Sequence, residues 1–202
     1  LEERGETLTV PHLSPTTDKP MAWLSRDGSR AIWHSQRDGW GHLYLYDGAT
    51  GEIITQLTSG PWVVRELIHV DENERVVFFT AGGREREWNP YQRGLYRVGF
   101  DGEGLQLLTP EDADHDIQAS KDGRVFVDTY SRPDLPPISV VRDRSGAIVV
   151  ELEIADIEGL LATGWRFPEQ HTLKARDGVT DIHALVIRPT TFDPSKRYPV
   201  IE

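Results

Sequence analysis

Cysteine is absent from the 202 residues, which excludes disulfide frameworks, thiolate metal sites and a cysteine nucleophile. The same absence leaves the redox compartment unreadable. No apolar run approaches the length of about 18 residues that a membrane-spanning helix needs. Positive charge is scarce: 22 Lys and Arg stand against 33 Asp and Glu, and the net charge of −11 would repel a phosphate backbone. Nucleic acid is therefore not an expected partner. The opening Leu1-Glu2-Glu3-Arg4 has neither the basic leader nor the apolar stretch of a signal peptide. Both ends read as cuts through a longer chain.

Catalytic signatures are missing as well. No Gly-x-Ser-x-Gly occurs, so the strained elbow that exposes an activated serine is not in this sequence. His-Glu-x-x-His metal spacing and Gly-rich phosphate loops are also lacking. The seven histidines (His12, His34, His42, His69, His115, His171, His183) are scattered, and none sits beside a serine in a recognisable arrangement.

What is present is a folded, polar, strand-rich chain with 38% hydrophobic and 27% charged residues, too apolar for a disordered one. Helical periodicity is nearly absent, and short alternating runs are bounded by Asp-Gly, Gly-Glu or Pro. Three segments resemble one another. Ser25 to Trp33, Leu43 to Asp47 and Gln56-Leu57-Thr58 make the first. Asp71 to Phe79, Leu95 to Val98 and Leu107-Leu108-Thr109 make the second. Ser120 to Val127, Ile138 to Asp143 and Ile148 to Val150 make the third. Landmarks recur at offsets of 52 (Tyr44 to Tyr96), 51 (Leu57 to Leu108), 44 (Asp27 to Asp71) and 51 (Asp71 to Asp122). A period of roughly 40 to 50 residues carrying four short strands marks a β-propeller blade.

The expected fold is thus all-β, a partial propeller of about three four-stranded antiparallel blades over residues 1–152. Each sheet has two apolar faces and hides them by stacking against its neighbours. Asp-Gly supplies the positive-φ turn joining the outer strands, and Leu43-Tyr44-Leu45-Tyr46 alternates so that its aromatics pack on the neighbouring blade. A β-sandwich is the rival fold, but it gives no reason for four-strand units to repeat. Propellers typically close with four to eight blades, so further blades are expected upstream.

Residues 153–165 break the pattern. Ile154, Ile157 and Leu161 fall on one face of a short helix, with Gly164 at its end. A hairpin follows, Glu169 to Ala175 and Thr180 to Arg188 around Arg176-Asp177-Gly178. Phe192-Asp193-Pro194-Ser195 is a turn, and Tyr198-Pro199-Val200-Ile201 begins another strand. This tail, 166–202, reads as the opening of a second domain.

Three features could carry chemistry. The run Asp112, Asp114, His115, Asp116 has alternate carboxylates, but as a calcium loop it puts Ile117 where Gly is needed and Gly123 where Glu is needed. It reads as a polar loop entering the third blade. Trp40, Trp62, Trp88 and Trp165 could form a stacking surface, yet aromatics at repeat positions are usually core. Trp88 lies in Gly82-Gly83-Arg84-Glu85-Arg86-Glu87-Trp88-Asn89-Pro90, an insertion that lengthens the middle connection of the second blade.

Ser35-Gln36-Arg37-Asp38-Gly39-Trp40-Gly41-His42-Leu43-Tyr44-Leu45-Tyr46-Asp47, followed by Gln56-Leu57-Thr58-Ser59-Gly60-Pro61-Trp62, closely resembles the propeller of the dipeptidyl peptidase IV family, in the prolyl oligopeptidase superfamily of serine peptidases. Leu95 to Val98, Asp122 to Tyr130 and Phe192-Asp193-Pro194-Ser195-Lys196-Arg197-Tyr198-Pro199-Val200 fit the same family in the same order. The resemblance implies a propeller capping an α/β-hydrolase domain. Oligopeptides enter the cavity between them and lose dipeptides from their N-termini. It implies that residues 1–152 are the last propeller blades, 153–165 a helical linker and 166–202 the first hydrolase strands.

The family's oxyanion tyrosine, nucleophile, aspartate and histidine would lie beyond Glu202. Glu2-Glu3 lacks the motif of the family's amine-binding glutamates, and no arginine occurs between Arg4 and Arg26 to match a substrate-binding one. No residue here inherits a catalytic, substrate-binding or metal role, and no cofactor is implied. An open stack of blades is expected to self-associate. The sequence itself carries no compartment signal; only the resemblance implies an exported or periplasmic parent, and a homodimeric one. The alternatives are a scaffold propeller for protein interaction, a catalytically dead family member and, more remotely, a sugar-processing propeller.

Overall fold

The short alternating runs become strands. The computed structural model describes residues 21–201, so Glu2, Glu3 and His12 lie outside it. The first sheet holds β1 (Ala22–Leu24), β2 (Arg30–Ser35), β3 (His42–Asp47) and β4 (Ile53–Gln56). The second holds β5 (Val63–Asp71), β6 (Val76–Gly82), β7 (Arg93–Gly99) and β8 (Gln106–Leu107). The third holds β9 (Asp114–Ala119), β10 (Val125–Arg132), β11 (Leu135–Asp143) and β12 (Ile148–Ile154). In each sheet the strand order follows the chain, and the strands of the first two sheets pair antiparallel. The described residues group into two compact units, 21–130 with 139–153 and 131–138 with 154–201.

In the first unit the three sheets stack in sequence. Ile32, Leu43 and Leu45 of the first sheet share one core with Val77, Phe79, Tyr96 and Val98 of the second. Phe78 and Leu95, on the opposite face of the second sheet, share another core with Ile117 and Phe126 of the third. Successive residues Val77, Phe78 and Phe79 thus enter different cores, as the two-residue period of a strand requires. All three are fully buried, which accounts for the unbroken apolar run there. A two-sheet sandwich has no sheet covered on both faces, and the three-blade reading replaces it.

Leu43 to Tyr46 alternate between the two faces of the first sheet. The leucines face the second sheet, and Tyr44 and Tyr46 lie on the other face beneath the Arg37 guanidinium, 4.6 and 5.8 Å from their ring centres. The aromatic contribution to the first core comes instead from Trp62, Phe79 and Tyr96, stacked with centroids 5.8 to 6.4 Å apart.

The 51-residue offset between Leu57 and Leu108 is one joint built twice. Thr58 Oγ1 accepts the Leu43 N–H at 3.0 Å, and Thr109 Oγ1 accepts the Leu95 N–H at 2.9 Å. Asp27-Gly28 and Asp122-Gly123 join the first and second strands of their sheets, whereas Asp101-Gly102 joins the third and fourth of the second sheet. In the corresponding first turn of the second sheet, Arg75 takes the positive φ, at 56°. Gly123 is required twice over: its φ is +64°, and a Cβ there would lie 2.1 Å from His69 Nε2. Turns also tie sheet to sheet. Arg144, from the β11–β12 turn, pairs with Asp71 at 2.7 Å and Glu74 at 2.9 Å and covers the Phe78 ring at 5.0 Å.

The second unit differs from expectation at both ends. Ile154 closes strand β12, and the helix, α1 (Glu158–Ala162), is only five residues long. Ala155 N–H donates to Pro137 O at 2.9 Å, so backbone pairing holds the stretch that apolar spacing assigned to a helix. Gly164, at φ +85°, follows the helix as expected. The hairpin forms as β13 (Glu169–Lys174) and β14 (Asp181–Val186), closed by Asp177-Gly178. Residues 198–201 form no strand, because a strand needs a partner and none of the described residues pairs with them. Phe192 to Ser195 is the expected turn, with Asp193 Oδ1 accepting Ser195 N–H at 2.9 Å.

Candidate functional site

The densest chemistry is in the third sheet. Asp114, His115 and Asp116 are not in a loop but on β9, so alternation separates them: His115 is fully buried, Asp116 is exposed and Asp114 lies between. Asp114 is engaged by Arg93 of the second sheet through a two-pronged pair at 2.8 and 2.7 Å, and it also accepts the Arg93 N–H at 2.9 Å. Its carboxylate hydrogen bonds hold the guanidinium above the usual arginine range. The run that resembled a cation loop is thus divided between two faces. Among the described residues no group of three or more His, Asp or Glu side chains is arranged to hold a metal ion.

His115 belongs to a buried polar cluster. Its Nδ1 faces both carboxylate oxygens of Asp128 at 2.9 and 3.0 Å, and its Nε2 faces the Glu111 carbonyl at 3.0 Å. Arg142 Nε donates to Asp128 at 2.7 Å, one terminal nitrogen to Glu111 Oε2 at 2.8 Å and the other to Gly146 O at 3.0 Å. Burial works against the Arg142 charge, but the hydrogen bonds to Glu111 and Asp128 outweigh it and hold its pKa above the usual value. Tyr130 packs its ring 5.2 Å from that of His115 and 5.9 Å from the guanidinium, and burial pushes its hydroxyl up.

The sequence pattern offered Asp112 to Asp116 but not Asp128 or Arg142, which lie 14 residues apart on adjacent strands. One signal was available. Both charges sit at inward positions, Asp128 between Phe126 and Tyr130 and Arg142 next in line to Val140, where an ionisable group is almost never buried without a partner.

The four tryptophans part company. Trp62 is core, edge-on to His42 at 4.8 Å, and Trp40 is 43% exposed. Trp165 is half-buried and meets Phe167 edge-on at 5.1 Å. Trp88, in the connection between β6 and β7, stacks on His115 with centroids 6.4 Å apart and planes 24° off parallel. That connection is fastened elsewhere too, since Arg84 pairs with Glu85 at 2.7 Å and Tyr96 donates its hydroxyl to Glu85 at 3.2 Å. The charge alternation read as solvated surface is therefore partly tied to the blade.

His42 contrasts with His115. Its Nε2–H donates to Gly60 O at 2.9 Å, and its Nδ1 accepts from the Thr58 hydroxyl at 3.0 Å, an arrangement a neutral ring satisfies. Burial accordingly lowers its pKa. His69 is lowered by burial as well, and His171 lies 3.5 Å from Glu169. In the second unit a cavity of about 470 Å³ is lined by Arg166, Phe167, Glu169, Val186, Arg188 and Phe192, among others. Of its three charged side chains, Arg188 grips Glu169 at 2.6 and 2.9 Å. The buried cluster can position and hold backbone; it brings no nucleophile to a base.

The comparisons with known proteins agree with this architecture. The family described as the dipeptidyl peptidase IV (DPP IV) N-terminal region matches residues 7–137. A probable dipeptidyl-aminopeptidase B of Tuber melanosporum is 30% identical over 169 residues, 81% of this chain and 18% of the relative. A dipeptidyl peptidase 4 of Arthroderma otae is 28% identical over 177 residues, 83% of this chain and 21% of the relative. The crystal structure of Porphyromonas gingivalis dipeptidyl peptidase 4 superposes with a TM-score of 0.72 at 25% identity, covering 89% of this chain and 25% of that one. The chain thus spans about a fifth of the length of the curated relatives it matches. Three stacked four-stranded blades and a family match over 7–137 lead to one conclusion: the chain belongs to the dipeptidyl peptidase IV family, as a partial β-propeller of its N-terminal region.

Proposed function

We propose that the chain is a non-catalytic propeller segment of a serine exopeptidase that removes dipeptides from the N-termini of oligopeptides. Residues 1–152 supply the last blades, 153–165 the linker and 166–202 the first strands of the peptidase domain. The observation that carries this reading is the second sheet, covered on both faces by sister sheets, as a radial stack requires. In the parent, these blades wall the reaction chamber, exclude folded proteins and orient short peptides for attack. The β13–β14 hairpin, with Leu173, Ile182 and Leu185 about half exposed, fits a sheet that more chain would cover.

An assay with a chromogenic dipeptide anilide tests the assignment. The full-length parent hydrolyses it, and the 202-residue chain alone does not exceed the uncatalysed rate. Enzyme-like turnover by the chain alone, or none by the parent, contradicts the reading; the latter result would favour a scaffold or a catalytically dead relative. The isolated chain self-associates, because β12 is an edge strand whose Val149, Val150, Leu152 and Ile154 are roughly half exposed. Sedimentation velocity across a concentration series checks this. A single monomeric boundary at the highest concentration contradicts it.

A further inference from the structure

Granted the peptidase reading above, on which this rests, we infer that Trp40 and Tyr91 contact the substrate in the reaction chamber. Their rings take apolar side chains of the peptide beyond the dipeptide that is removed. In the third sheet neighbouring strands are joined by five residues or fewer, too short for a parallel crossover, so it is antiparallel like the others. In each sheet the first and third connections therefore lie at one rim, the turn rim. The second connection and the passage to the next sheet lie at the other, the exit rim. The rims are aligned from sheet to sheet. At the exit rim, Val64 N–H donates to Gly41 O at 2.8 Å and Arg93 pairs with Asp114 at 2.7 Å. At the turn rim, Arg26 N–H donates to Glu72 Oε1 at 3.2 Å and Arg144 pairs with Asp71 at 2.7 Å.

The rims differ in what they present. The turn rim is built of short turns whose aspartates bond their own backbone, as Asp27, Asp71, Asp122 and Asp143 do. The exit rim carries the 36–41 and 83–92 connections. On them stand the aromatic side chains most open to solvent among the described residues of the first unit, Trp40 at 43% and Tyr91 at 69%. Each lies two residues ahead of the third strand of its sheet, and each is fixed in the same way. Trp40 N–H donates to Asp38 Oδ1 and Tyr91 N–H to Asn89 Oδ1, both at 3.1 Å. Gln56 Nε2 donates to the other Asp38 oxygen at 2.8 Å, and Gln92 N–H closes the second turn on Asn89 O at 2.9 Å.

Sister blades cover the faces of a sheet and not its rims, so a longer propeller leaves these two rings open. Strand β12, the fourth of its sheet, runs to the exit rim, and from there the chain passes on towards the peptidase domain. The exit rim therefore borders the chamber. An exopeptidase holds the first two residues of its substrate at the scissile bond, where the peptidase domain supplies the chemistry. A blade rim is left to meet the residues that trail behind. Aromatic rings on tied backbone offer broad apolar contact at little cost in lost freedom, which suits a peptide of variable sequence.

Steady-state kinetics of the full-length parent test this with a dipeptide anilide and two longer peptides that begin with the same dipeptide. One longer peptide is apolar over its next four residues and the other is acidic there. In Tyr91→Ala and in Trp40→Ala, kcat/KM for the apolar peptide relative to the anilide is expected to fall about fivefold, the loss of a truncated contact residue. The fall for the acidic peptide is expected to be smaller. Asn89→Ala keeps the Tyr91 ring but removes the bond that fixes it, and the ratio is expected to fall in the same direction by a smaller factor. Leu24→Ala, at an exposed side chain on the turn rim, is expected to leave the ratio unchanged. The ratio does not depend on the fraction of enzyme folded, so an unchanged ratio in either aromatic variant overturns the inference for that ring. An equal fall in Leu24→Ala overturns it for both. A wild-type parent that cleaves neither the anilide nor the peptides fails the peptidase reading itself, and this inference with it.

Discussion

The aspartates that open the turns do more than punctuate the chain. Asp27 Oδ1 receives the Ser29 N–H at 2.9 Å and the Ser25 hydroxyl at 2.8 Å, and these bonds hold its carboxyl down to about 2. Asp47, Asp71, Asp122, Asp143 and Asp177 accept equivalent bonds from the turns they begin, and all five are held below the ordinary value. Each folded pKa lies under the unfolded one, so the contribution is complete above about pH 4 and is lost as pH falls towards about 2. The urea midpoint is accordingly expected to fall between those limits, and Asp27→Asn, which keeps an accepting oxygen, to reduce the fall. A midpoint flat over that range contradicts this. Asp128 is a different case, fully buried between Arg142 and His115. Asp128→Ala strands those partners in the interior and is expected to cost about 3–5 kcal/mol in equilibrium unfolding. A loss below about 1 kcal/mol, the range of an exposed pair, would mean that water reaches the cluster.

Strands fare according to what buries them. Val76 to Gly82 lies in the middle sheet, and Phe78 supplies the face turned to the third, with its ring 5.0 Å from that of Phe126. Phe78→Ala removes a fully buried ring from the joint between sheets and is expected to cost about 3–5 kcal/mol, measured by denaturant titration. Leu24→Ala, at a side chain 64% exposed, is expected to change little. These elements were legible in the sequence because alternation, Asp-Gly turns and the Leu-Thr joint are local signals. The helix was not: Ile154, Ile157 and Leu161 carry helical spacing, yet Ile154 ends a strand, since a neighbouring backbone outweighs a weak five-residue propensity. The cluster around His115 was half legible. Asp114 and His115 stood out as polar residues in sequence, but their partners Arg93, Asp128 and Arg142 come from three other strands, and sheet register alone brings them together.

At the scale of the molecule the arrangement is a relay of surfaces. The first sheet gives one face to the second, and the second gives its other face to the third. Charged ties at the sheet ends, Arg93 with Asp114 and Arg144 with Asp71, both fasten the second sheet to the third. The third sheet keeps Val125 and Val127 more than a third exposed, so the relay has a face left to offer. A unit that can always accept one more neighbour suits a ring and not a closed pair of sheets. Cross-sheet nuclear Overhauser contacts of Phe78 and Phe79 test this stacking most directly. The account predicts that Phe78 meets Phe126 and Ile117 of the third sheet while its neighbour Phe79 meets Trp62 and the leucines of the first. If both rings report the same partner sheet, or if either face of the middle sheet shows no contact across a sheet boundary, the stacked-blade account is contradicted.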